Sequence, residues 1–145
     1  MPFSFNPQAI ANSLSLIAVA SLFGGMVFFP SVVAPTVFKA LEPEDAGKFL
    51  RRLFPAYYAF IIAASVAAAL LFVVKPLIAI GFLIIGASTY GVRQFLVPKI
   101  NAWRDQELAG DEAAGKKFAM GHKISVLINM CQLLFVFFAL VTLWP

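Results

Sequence analysis

The sequence predicts an all-α integral membrane protein, a four-helix bundle with both termini outside. Two observations predict it. Hydrophobic residues make up 61% of the 145 positions and charged residues only 12%, where a soluble domain is about half apolar and a quarter charged. The few charges are also segregated. Residues 1–38, 53–74, 76–92 and 124–145 contain no Asp, Glu, Lys, Arg or His. A bilayer core about 30 Å thick takes roughly 20 apolar residues of helix, and three of these runs reach that length. The run from Pro76 nearly does, and it continues past Arg93 through Gln94, Phe95, Leu96 and Val97. Four spans are therefore expected, at about 8–38, 53–74, 76–97 and 121–144, within one domain covering 1–145. Continuous rather than alternating apolar runs disfavour a β-barrel. A cleaved signal peptide is not expected, because the N-terminus lacks Lys and Arg and its apolar stretch is too long.

The first span starts near Pro7 and extends to about Lys39, longer than a bilayer requires. Pro30 and Pro35 fall in its second half. Each removes a backbone N–H and crowds the carbonyl one turn earlier, which predicts a helix break or kink there. Gly24 and Gly25, just before, permit close helix approach. The second helix is expected to begin at Glu42-Pro43-Glu44-Asp45: proline suits the first turn, and acidic side chains suit the positive end of the helix dipole. It passes Arg51 and Arg52 and enters lipid near Phe54. The third starts at Pro76 and continues as a polar extension through Asn101, Trp103, Arg104 and Asp105. Gly110 and Gly115 mark the following turn, and the fourth helix begins near Asp111 and Glu112 and runs to Trp144. The Ala-rich stretch 63–69 and the glycines of the third span offer small-residue faces for tight packing.

Ten of the eleven Lys and Arg residues lie in or beside the first and third connections, and only Lys75 lies between spans two and three. That bias predicts cytoplasmic first and third connections, in a cell inner (plasma) membrane. The net charge of +4 then reports orientation, and no nucleic-acid partner is expected. Membrane lipids are the expected surroundings. A homo-oligomer or a role as accessory subunit of a larger membrane complex remains open. The single cysteine, Cys131, has no partner for an internal disulfide and reads as a packing residue.

Polar side chains inside membrane helices are costly, so their positions carry information. His122, Ser125, Asn129 and Gln132 follow one helix face at spacings of three, four and three. Tyr90, Gln94, Asn101 and Arg104 follow a stripe on the third helix, flanked by Arg93 and Asp105, and Tyr57 and Tyr58 lie just inside the second. All converge on the half of the bundle with the basic connections. One reading is structural: interhelical hydrogen bonds that fix register, with Asp105 as ion-pair partner of Arg93 or Arg104. The other is a ligand site. Its candidate residues are Arg93, holding an anion, Asn101, Ser125 and Asn129 as hydrogen-bonding groups, His122, and Tyr57 and Tyr58 as its wall. No closed metal site is expected, and two axial histidines for haem are excluded by a count of one histidine. Five-coordinate haem, or a quinone in a redox enzyme, stays open as the alternative cofactor class. No Gly-rich phosphate loop, catalytic triad or paired carboxylate is present, so whether the chain is an enzyme is left undecided.

Several of these residues also carry a family likeness. Ala34-Pro35 with Phe38, Phe54-Pro55 with Tyr57-Tyr58, Val97-Pro98 with Ile100-Asn101 and Arg104-Asp105, and His122 with Ser125 and Asn129, stand in one order along the chain. This set resembles the transmembrane protein 205-like family of small four-span proteins. The resemblance implies a four-helix membrane bundle and no particular activity. A looser similarity, through Val97-Pro98 to Asn101 and His122, is to small four-span anthrone-oxygenase-like proteins.

Overall fold

The computed structural model describes residues 6–142, so the predicted end of the fourth span at Trp144 lies outside them. Four helices follow one another: α1 Pro7–Ala40, α2 Pro43–Leu71, α3 Pro76–Leu108 and α4 Glu112–Val141. Each is long and apolar enough to cross a membrane, and no strand occurs among the described residues. The protein is a multi-pass membrane four-helix bundle.

Local chemistry sets the helix starts. The Asn6 side chain accepts hydrogen bonds from the backbone N–H groups of Gln8 and Ala9, with Pro7 in the first turn. Pro43 opens α2, followed by Glu44 and Asp45 at the positive end of the dipole. Pro76 opens α3. Asp111 caps α4 by accepting from Ala113 and Ala114 at 2.9 and 3.1 Å. Before it, Gly110 takes φ +101°, a left-handed conformation that a Cβ would strain. Gly115 stands inside α4, where the Glu107 side chain covers it.

Pro30 and Pro35 do not break α1. Residues Phe29–Val33 form a widened turn in which the Ala34 N–H bonds to the Phe29 carbonyl, five residues back. The same device recurs in α3 at Val92–Leu96, where the Val97 N–H bonds to the Val92 carbonyl. Each widened turn ends two residues before a proline, Pro35 or Pro98. A proline ring collides with the carbonyl four residues back in a regular α-helix. Accommodating one extra residue in the turn moves that carbonyl aside, so the helix continues.

Neighbouring helices pack in a ring, α1 to α2 to α3 to α4, and α4 returns to α1. One end carries the basic connections; the other carries the turn at Lys75 and is almost wholly apolar. A core of Val19, Leu22, Met26, Ile61, Ala68, Phe72, Phe82, Ile85 and Val136 fills the apolar end. Lipid competes equally well for apolar contact, so this end is held by close van der Waals packing. Glycines allow it: the Phe60 ring occupies the space over Gly25, and the Phe135 ring that over Gly81. Gly86 sets α3 against Ser65 of α2. The outer surface is apolar, with Leu77 85% exposed, as lipid contact requires. Cys131 faces outward too and is not part of the interior packing.

Candidate functional site

At the basic end the bundle is not filled. A cavity of about 400 Å³ lies between all four helices. The two widened turns border it, through Phe29 and Pro30 of α1 and Val92 of α3. Its floor is a satisfied polar group: Gln132 Nε2 donates to Ser88 Oγ at 2.9 Å and to Thr89 Oγ1 at 3.1 Å. Ser88 Oγ in turn donates to the Ile84 carbonyl at 2.6 Å. One wall is aromatic. Tyr57 stacks on Phe29 with centroids 4.1 Å apart, Phe54 lies 5.4 Å from Phe29, and Tyr58 stacks on Phe54 at 5.8 Å. The opposite wall is the polar face of α4, His122, Ser125 and Asn129.

Six of the seven residues singled out by sequence line this cavity: Tyr57, Tyr58, Asn101, His122, Ser125 and Asn129. Arg93 does not. It sits half-buried beside Val92, which faces the cavity in its place. No Lys, Arg, Asp or Glu lines the cavity at all. Tyr90 and Gln94 of the predicted stripe also stay outside, exposed and within 3.4 Å of each other. Ser125 Oγ is spent on the His122 carbonyl at 2.8 Å. By contrast, the side chains of Tyr57, Tyr58, Asn101, His122 and Asn129 make no hydrogen bond within the described residues. Asn129 lies beside the Tyr57 hydroxyl without reaching hydrogen-bond geometry.

Sequence spacing found Tyr57 and Tyr58 of the aromatic wall but missed Phe29 and Phe54, and the apolar lining at Leu50, Val97, Ile100, Val126 and Met130. Nothing in their local sequence separates these from the chain's other apolar residues. Above the cavity, Arg51 Nη2 donates to Asp105 Oδ1 at 2.6 Å and ties α2 to α3. Asp105 therefore pairs with neither Arg93 nor Arg104. The Arg104 guanidinium bonds Glu107 at 2.6 Å and lies 5.2 Å above the Phe118 ring, joining α3 to α4. No group of three His, Cys, Asp or Glu side chains suited to a metal ion occurs among the described residues.

Comparison with known families gives one match, over residues 17–108, which is more than half of the 145-residue chain. The chain belongs to the family described as Domain of unknown function (DUF4149). No curated protein and no solved structure matches it. The DUF4149 match runs from α1 to the end of α3, so it includes both widened turns and the aromatic wall. The α4 wall, with His122, Ser125 and Asn129, lies beyond it.

Proposed function

We propose that this chain is a ligand-binding membrane protein whose cavity takes a small, largely apolar molecule bearing an uncharged hydrogen-bonding group. One observation carries the reading: five unpartnered polar side chains face a single cavity that contains no charge. These side chains keep accessible polar atoms along the cavity, so a ligand that enters it can hydrogen-bond them. The aromatic wall suits a flat ring, and Asn129, Asn101 and the two tyrosines supply both donors and acceptors. With no cation in the lining, a carboxylate or phosphate is disfavoured as ligand. The likeness to the transmembrane protein 205-like family accords with this reading and adds no ligand.

Following the bias of basic residues, we place the cavity end in the cytoplasm, both termini outside, and the chain in the inner membrane. The test is Asn129→Leu. It replaces the amide with an apolar side chain of similar size, so the empty protein is expected to be no less stable. The same change removes the ligand's partner, so thermal stabilisation by membrane lipid extract, seen for the unaltered protein, is expected to vanish. A variant that is destabilised and still stabilised by extract contradicts the proposal.

A redox role is the second reading, because His122, the one imidazole, lies at the cavity. Haem would use His122 as axial ligand, and a quinone would use it as a hydrogen-bond partner. A visible spectrum of the purified protein, before and after dithionite, tests the haem form. A Soret band lost in His122→Ala supports it; a featureless spectrum after expression with haem supplied rejects it.

A further inference from the structure

The lining residues differ in exposure by helix. Those contributed by α2 and α3, from Leu50 to Asn101, are all buried or half-buried. The exposed ones are Pro30 and Phe38 of α1, and His122, Val126 and Met130 of α4. On each helix they follow one row at steps of four: Pro30 and Phe38, with half-buried Ala34 between them, on α1, and His122, Val126 and Met130 on α4. Phe23 of α1 meets Phe137 of α4 with ring centroids 6.0 Å apart, and carried along the antiparallel helices this register sets Pro30 level with Met130 and Phe38 level with His122. Helix packing agrees. The α1 stretch Ala34–Ala40 rests on α2, and α4 is held to α1 through Pro7–Phe28, at the other end. The bundle is thus open between α1 and α4 along the cavity. Eight residues of helix make this slit about 12 Å long. All of its edge except His122 lies in stretches of chain without charge, and its edge residues are apolar: Phe38 is 59% exposed, Met130 47% and Val126 46%.

We infer that the cavity is reached sideways from the bilayer, through the slit between α1 and α4, and that its ligand is a membrane-dissolved amphiphile with a long apolar chain. This rests on the ligand-binding reading of the cavity. An apolar-edged slit at that depth faces acyl chains, not water. A polar ligand from water would have to cross hydrocarbon to use it, whereas an amphiphile already there would not. The uncharged head group lies against Tyr57, Tyr58 and Asn129, and the chain leaves past Val126 and Met130 into lipid.

Photolabelling in phosphatidylcholine vesicles tests this with two probes. One is a long-chain alcohol carrying an aryl diazirine at its polar end; the other is the same head group without the chain. The long-chain probe is expected to label the peptides holding Tyr57, Tyr58 and Asn129, more strongly than the short one. Closing the slit with V126W/M130W is expected to cut that labelling by about tenfold, with labelling of lipid-facing Leu77 unchanged. Both positions face outward, and V126F supplies the same readout with less bulk if the double variant fails to fold. If both probes label the cavity equally and the variants change nothing, the lateral route is wrong while the cavity reading stands. If Leu77 is labelled and the cavity by neither probe, the cavity reading itself fails.

Discussion

Ser65 and Asp105 each carry a polar group whose value depends on its neighbours. Ser65 Oγ is buried between α2 and α3 with no hydrogen-bond partner. An unsatisfied hydroxyl in an apolar interior costs about 1–3 kcal/mol, and removing it leaves the backbone packing beside Gly86 intact. Ser65→Ala is therefore expected to be neutral or to stabilise by about 1 kcal/mol, measured by unfolding in mixed micelles. A clear loss of stability would show that the hydroxyl has a partner after all. Asp105 is the opposite case. The hydrogen bond from Arg51 holds its carboxyl below the usual carboxylate range. A lowered value in the folded protein means the pair contributes at neutral pH and is lost as pH falls through that value. Asp105→Asn is expected to melt slightly below the unaltered protein at neutral pH, the small gap reflecting an exposed pair. The gap should close below the carboxylate range; one that widens in acid has the wrong sign.

At the scale of the helix, the two widened turns have consequences that neither proline has alone. Inserting one residue into a turn rotates everything after it by about 100° relative to a regular helix. In α1 that rotation brings Ala34 and Phe38 to the cavity edge; in α3 it does the same for Val97 and Asn101. Pro35→Ala restores a backbone donor and removes the ring clash, so the turn can revert to regular α-helix. Stability is expected to rise, by up to about 3 kcal/mol if reversion is complete, while labelling of the cavity by the long-chain probe falls. A variant less stable than its parent would show that packing, not the proline, holds the turn open.

For the molecule as a whole, the two ends of the bundle divide the work. The apolar end is packed and closed by glycine–aromatic contacts at Gly25 and Gly81. The basic end spreads around a cavity, and its rim is tied by Arg51–Asp105 between α2 and α3 and by Arg104 over the Phe118 ring between α3 and α4. The orientation proposed above rests on the rim charges. In a Cys131→Ser background, Lys75→Cys in intact bacteria is expected to react with a membrane-impermeant maleimide, and Lys48→Cys only after lysis. The reverse pattern would invert the proposed topology and put the cavity outside.

The four spans and their starts could be read from sequence because their causes are local. A charge in hydrocarbon is costly, so bilayer thickness is written directly into the lengths of the charge-free runs. Caps at Asn6 and Asp111 and prolines at 7, 43 and 76 act within one turn of the residue that carries them. The polar face of α4 was legible for the same reason, since helical periodicity alone places His122, Ser125 and Asn129 together. The tertiary structure decided the rest. That Pro30 and Pro35 widen α1 without breaking it depends on where the displaced carbonyl goes. That Val92 and not Arg93 faces the cavity depends on which side of α3 turns toward the bundle. The Phe29 side of the aromatic wall, the Arg51–Asp105 tie and the slit between α1 and α4 bring together residues far apart in the chain. They follow from which helices touch, a property of packing that no local run of sequence contains.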